Sequence, residues 1–161
     1  MPAMMKYSYE RLLQWSECDP AGIIFFPHYA IWMAEGLNMA LLSVGYSPTA
    51  DLPDGGMRGL PSVGYTSRFL SAPRLHELVT HEIEVTEIGG KSIGFAHRFL
   101  CAGNVVAEAE EKRVVTISGA DGSLKSAEIP AELRAALETD AVHQGPCLPR
   151  ELQSATALSS R

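Results

Sequence analysis

Cysteine is scarce in this chain and odd in number: among 161 residues only Cys18, Cys101 and Cys147 are cysteines. With no C-x-x-C pair, this argues against a disulfide framework or a zinc–thiolate cluster and fits a reducing compartment. No metal and no cofactor are expected. Positive charge is also short, with 13 Lys and Arg against 19 Asp and Glu and a formal net charge of -6. That balance argues against nucleic acid or an anionic membrane surface as partner. It leaves room for a small anionic ligand, which needs only a few local cations. Long apolar runs are missing as well. The longest is broken by Glu35, Gly36 and Asn38, whereas a membrane span needs about 20 largely apolar residues. The first residues, Met-Pro-Ala-Met-Met-Lys-Tyr, lack the charged and then apolar segments of a signal peptide. The expected location is the cytoplasm.

What is present is the composition of a globular domain, 46% hydrophobic and 20% charged. The length suits one domain. Residues 1–138 are expected to build it. Residues 139–161 mix Gly, Pro, Ser and Thr without periodicity and read as a poorly ordered C-terminal tail.

Along the chain, residues 6–15 read as a first strand, with Tyr7, Tyr9, Leu13 and Trp15 among polar neighbours. A turn at Pro20 and Gly22 follows, then the apolar approach Ile23-Ile24-Phe25-Phe26. A helix is predicted from Pro27 to Val44, because proline suits a first turn and Gly45 is a natural stop. Glu35 is its one formal charge. Apolar nearly all round, it is expected to be buried on most sides, inside a curled sheet. Residues 47–60 read as a loop. Strands are predicted over 61–70, 77–88, 91–101 and 105–118, punctuated by Gly89-Gly90 and Ala102-Gly103-Asn104. A short helix opens at Pro130. One long helix followed by antiparallel strands is an α+β domain.

Three familiar motifs fail. Gly90-Lys91-Ser92 resembles the end of a phosphate loop, but Val85 stands where the Walker pattern needs glycine, and the segment reads as a hairpin. His76 and His81 flank Glu77 one residue too far apart for the H-E-x-x-H zinc helix, and read as a loop and a strand histidine. No G-x-S-x-G elbow is present.

The segment left to carry chemistry begins at Asp19. Its carboxylate sits in a tight turn that leads past Phe25 and Phe26 to the helix start at Pro27. The first amides of a helix have no internal partner and carry partial positive charge, so they can hold an anion or a developing oxyanion. A carboxylate beside such an end suits acyl transfer. Asp19 before Pro20 equally suits a plain Asx turn, and residue chemistry alone leaves both open.

The run Trp15-Ser16-Glu17-Cys18-Asp19-Pro20-Ala21-Gly22-Ile23-Ile24-Phe25-Phe26-Pro27-His28-Tyr29 resembles the signature of hotdog-fold thioesterases of the 4-hydroxybenzoyl-CoA type. Weaker similarity extends to about residue 135. The resemblance implies a hotdog fold, a long helix wrapped by a curved antiparallel sheet, and hydrolysis of an acyl-CoA thioester, aromatic or medium-chain. It implies Asp19 as nucleophile or general base and the Phe26 amide as oxyanion donor. It further implies a homodimer or homotetramer with the site between subunits. Phe25, Trp32 and Glu35 are expected near the acyl group, and Lys91, Ser92 and Lys125, with Arg113, near the CoA phosphates. The chain departs from the pattern at Glu17, which stands for an aspartate, at Gly89-Gly90, which stand for arginines, and at Ala34, where the type enzyme places an acid near the substrate ring. Two other readings stand beside this one. A hotdog dehydratase would use His28 and Glu35, but these lie too close together for that family's spacing. A non-catalytic acyl-CoA-binding module would have no need of Asp19.

Overall fold

The computed structural model describes residues 3–148. The elements follow in the order β1 Lys6–Leu12, a 3-10 turn Trp15–Glu17, α1 His28–Ser43, β2 Ala50–Asp51, β3 Met57–Gly59, β4 Ser62–Phe69, β5 Leu78–Ile88, β6 Ser92–Cys101, β7 Asn104–Val114, β8 Thr116–Ser118, β9 Leu124–Ser126, α2 Ala131–Leu137 and β10 Val142–Gln144. Six strands form the main sheet in the order β10-β1-β5-β6-β7-β4, and β2-β3-β8-β9 form a smaller one. The main sheet is antiparallel except at β10, which runs parallel to β1. This is the expected α+β arrangement.

Helix α1 begins one residue after Pro27 and ends as its sequence dictates. Gly45 has φ +78°, a left-handed conformation that glycine adopts without penalty. It lets the Gly45 amide donate to the Leu42 carbonyl and the Tyr46 amide to the Leu41 carbonyl, which closes a Schellman cap. Tyr29, Trp32, Met33, Gly36, Leu37, Ala40 and Leu41 of α1 are buried. Their spacing of three and four residues is one helical face. The opposite flank is open in the protomer: Ile31 is 49% and Leu42 60% exposed. The expectation of burial on most sides therefore fails for a single protomer, because the sheet covers only one side of α1.

The inward face of the sheet alternates as expected, with Val79, Ile83 and Val85 on β5 and Ile93, Phe95 and Phe99 on β6 buried against α1. The core is split in two. One part gathers at the end of α1 around Leu37, Leu41, Val85, Ile93 and Leu133. The other gathers at its start around Tyr29, Trp32, Met33, Phe99 and Val106.

Three expectations need correction. The 47–60 loop contains the short strands β2 and β3. The first strand stops at Leu12, and Trp15 turns outward at 80% exposure, because the chain tightens there into a 3-10 turn. The stretch expected to be a poorly ordered tail begins with β10, which pairs with β1 at Lys6, Tyr7 and Ser8. The Gly145 and Leu148 amides then donate to the Ser8 carbonyl and to Glu10 Oε2. Period-two alternation is not needed for so short an added strand, so the composition of 139–148 gave no sign of it. The remainder of that tail, 149–161, lies outside the described residues.

Candidate active site

The loop between β1 and α1 is held by its backbone. The Asp19 amide donates to the Ile23 carbonyl, the Gly22 amide to the Asp19 carbonyl, and the Phe25 amide to the Glu17 carbonyl at 2.8 Å. Gly22, at φ +74°, makes the reversal possible. Asp19 Oδ1 accepts the Ala21 amide at 2.8 Å, so the Asx turn is real. Among the described residues its Oδ2 has no hydrogen-bond partner. Trp15, Ser16, Cys18, Pro20 and Leu75 join Asp19 along a shallow open groove.

The helix start adds the complementary group. The His28 amide donates to the Phe25 carbonyl and the Tyr29 amide to the Phe26 carbonyl, while Pro27 has no N–H to offer. Among the described residues the Phe26 amide has no partner. It stands at the positive end of α1 with an exposed side chain, as does Phe25. Phe26 and Tyr29 both contact Phe69 of β4, with ring centroids 6.0 Å and 5.4 Å away.

Glu17 organises this loop. Its carboxylate is nearly buried and accepts from Arg11 Nη2 at 2.6 Å, Trp32 Nε1 at 2.9 Å and the Gln14 amide at 2.9 Å. The Arg11 guanidinium lies 4.1 Å over the Trp32 ring and reaches Glu35 Oε2 with its other nitrogen at 3.2 Å. The sequence marked Glu17 only as a departure from a pattern. Its role needed the inward-facing Arg11 of β1, which is far enough away in sequence to give no local signal.

Trp32, expected to touch substrate, is fully buried. Its ring packs between Tyr29 and Phe99, so its part is to anchor Glu17 from the core. Glu35 sits on the open flank of α1 with its charge engaged by Arg11. His28 lies two turns before it on the same helix.

The expected phosphate grip lies elsewhere. Lys91 immediately precedes β6, Ser92 opens it, and Lys125 lies on β9. The Val115 amide donates to the Lys91 carbonyl and the Ala127 amide to the Val115 carbonyl, which gathers Lys91 and Lys125 at one end of the molecule. Arg134 of α2 joins them there and donates to the Gly89 carbonyl at 2.5 Å, a cation that the sequence reading missed. Arg113 does not join. It is buried against Glu111, with Nε–Oε1 at 2.8 Å, and donates to the Leu60 carbonyl, so the expectation that it binds phosphate is withdrawn. Cys18 and Ile24 of the Asp19 loop pack with Phe99 near the end of β6, and Lys91 precedes its opposite end. From Lys91 to Phe99 the chain runs eight residues, about 27 Å at 3.4 Å per residue. Within one protomer most of the length of β6 thus lies between the core under the Asp19 loop and Lys91.

Comparison with known proteins agrees with this architecture. Residues 13–137 match the model of the thioesterase-like superfamily. The chain is 28% identical over 130 residues to the 4-hydroxybenzoyl-CoA thioesterase of Pseudomonas sp. strain CBS-3, covering 76% of this chain and 91% of that one. The solved structure of that enzyme superposes with a TM-score of 0.70 at 21% identity, over 81% of this chain and 98% of the other. A gentisyl-coenzyme A thioesterase structure superposes with a TM-score of 0.66 at 26% identity, over 79% and 98% of the two chains. The chain belongs to the thioesterase-like superfamily and has the hotdog fold. It is a thioester hydrolase.

Proposed function

We propose that this enzyme hydrolyses an acyl-CoA thioester, with an aromatic or medium-chain acyl group, at a site built from Asp19 and the Phe26 amide. The observation that carries the reading is the unpartnered Phe26 amide at the head of α1, on the same short loop as a carboxylate with one free oxygen. The amide and the helix end polarise the thioester carbonyl and hold the charge that develops on its oxygen. Asp19 then attacks the carbonyl carbon, giving a mixed anhydride that water hydrolyses, or takes a proton from a water that attacks directly. The thiolate of CoA leaves in either case. Exposed Phe25 and Phe26 supply an apolar wall for the acyl group.

The active assembly is a homodimer, with or without pairing into a tetramer, formed through β4. That strand is a sheet edge, and its inward-facing Val63, Tyr65 and Phe69 are all more than half exposed. The opposite edge is already capped by β10. Antiparallel pairing of two β4 strands about a two-fold axis sets the Phe69 end of one protomer beside the Ser62 end of the other. The Asp19 of one protomer then approaches the end that carries the partner's lysines, which answers the separation of these groups within one chain. Lys91, Ser92 and Lys125, with Arg134, serve the CoA phosphates across that junction, and Glu35 faces it from α1.

A thiol-release assay across benzoyl, hydroxybenzoyl, gentisyl and medium-chain acyl-CoAs tests the reading. Release from at least one aromatic or medium-chain ester is expected. Tight binding of acyl-CoA with no release would mean a binding module, and release only from acyl-carrier protein would overturn the CoA assignment.

A further inference from the structure

Three ionisable side chains lie on the inward face of the sheet where apolar residues are the rule. His81 of β5 and His97 of β6 are fully buried and Glu111 of β7 nearly so. With Tyr9 of β1 they form one continuous chain across four adjacent strands. Tyr9 Oη is 3.0 Å from His81 Nδ1, His81 Nε2 is 2.9 Å from His97 Nδ1, and His97 Nε2 is 3.1 Å from Glu111 Oε2. Arg113 closes the far end by donating Nε–H to Glu111 Oε1 at 2.8 Å. None of these groups touches the Asp19 loop, and the proposed hydrolysis uses none of them.

The direction of the chain follows from which atoms carry protons. Arg113 can only donate; against burial, which raises it, the His97 hydrogen bond and then the Arg113 charge keep Glu111 below the usual carboxylate range. Glu111 is therefore an acceptor, and His97 must carry its proton on Nε2. With His97 neutral, its Nδ1 is a lone pair. His81 must then donate from Nε2, since two lone pairs cannot face each other at 2.9 Å. His81 Nδ1 in turn accepts the Tyr9 hydroxyl. Burial above all, with Arg11 nearby, holds His81 well below its ordinary value, which leaves His81 neutral beside a Glu111 whose charge Arg113 already meets. With both rings neutral, every hydrogen bond runs from Tyr9 toward Glu111.

The near end of the chain touches α1. A methyl group on Gly36 would lie 2.7 Å from the His81 ring and 2.9 Å from the Tyr9 ring, so the helix rests directly on these two side chains. Tyr9 Oη is also 3.5 Å from the Trp32 carbonyl, at the outer limit of a hydrogen bond. While its proton points to His81, the phenol leaves that carbonyl to the helix.

We propose that Glu111 is a positioning residue: through His97 and His81 its carboxylate keeps the Tyr9 hydroxyl turned away from the Trp32 carbonyl, and so fixes the seat of the helix whose start carries the Phe26 amide. This rests on the oxyanion role given to that amide above. The substitution Glu111→Gln reverses the chain. Its amide oxygen stays with Arg113, which can only donate, and its NH2 then faces His97 Nε2 as a donor. His97 and His81 both move their protons to Nδ1, and the Tyr9 hydroxyl swings to the Trp32 carbonyl, pulling on the first turns of α1.

The test reads tautomers and turnover separately. Imidazole 15N shifts are expected to show His81 and His97 as neutral Nε2–H forms in the wild type at pH 7.5 and as Nδ1–H forms in E111Q. A cationic or Nδ1–H histidine in the wild type, or unchanged tautomers in E111Q, would overturn the proposal, and the wild-type spectrum decides even where E111Q fails to fold. In turnover, E111Q is expected to lower kcat by about tenfold with KM within about twofold, less than the factor of 100–1000 for deleting an oxyanion donor. In a Tyr9→Phe background, which cannot bond the Trp32 carbonyl, E111Q is expected to cost little further. An equal loss in both backgrounds would mean a merely structural role. A wild type with the expected tautomers and no thioesterase activity would instead sink the functional reading and leave the directed chain standing.

Discussion

Glu17 holds three donors in a nearly water-free corner, from Arg11, Trp32 and the Gln14 amide. Replacing it by alanine leaves those donors buried without a partner, and breaking a buried pair costs about 3–5 kcal/mol. Glu17→Ala is expected to lose about 3 kcal/mol in denaturant unfolding and to disorder the Asp19 loop; a loss under about 1 kcal/mol, the worth of an ordinary surface pair, would contradict the role. His81 and Glu111 give a pH dependence. Both are held below their ordinary values in the fold, so below about pH 6.5 the unfolded chain takes up a proton at His81 that the folded chain refuses, and below about 4.5 the same happens at Glu111. Stability is therefore full above pH 6.5 and falls as pH drops, with a slope approaching about 1.4 kcal/mol per pH unit for each such group. Thermal unfolding from pH 7.5 to 5 checks this, and a flat profile would show that His81 is free to charge in the fold. The turn at Asp19 and the helix start after Phe26 were legible from local sequence, because they are contiguous, while the roles given to them came from the resemblance. The buried chain was not. His97 could be placed on the inward face beside Phe95 and Phe99, but its partners lie on other strands, and register alone joins them.

At the scale of elements, α1 was readable almost to the residue, because Pro27 and Gly45 punctuate it and its stop depends on glycine's conformation. What sequence could not show is how closely α1 approaches the sheet. Gly36 is the point of contact, and any side chain there meets the His81 and Tyr9 rings below 3 Å. Gly36→Ala gains helix propensity worth about 1 kcal/mol yet is expected to destabilise by about 1–3 kcal/mol, since overpacking outweighs it. Equal or raised stability in chemical denaturation would show that the helix can lift away from His81. The strands β5, β6 and β7 were legible from alternation. The short strands β2, β3 and β10 were not, because two or three residues carry no period.

At the scale of the molecule, one edge of the main sheet is capped and the other bare. β10 covers β1, while β4 exposes both its backbone and an apolar row, an arrangement that invites pairing with a second strand. Tyr65→Glu puts a charge in the middle of that row and is expected to shift the dimer to monomer in light scattering and to abolish turnover. A monomeric wild type, or an active monomeric variant, would contradict a site shared between protomers. Composition pointed to a globular chain of acidic balance. It did not show that Lys91 lies at the far end of β6 from the core around Phe99 on which the Asp19 loop packs. The most direct test of the account is therefore steady-state thiol release by wild type and Asp19→Asn on the best acyl-CoA ester. Asp19→Asn keeps the Asx turn through its amide oxygen and removes the carboxylate. The account expects kcat to fall by at least about 100-fold, the usual weight of such a group, with acyl-CoA still bound. Turnover within a few-fold of wild type would contradict it.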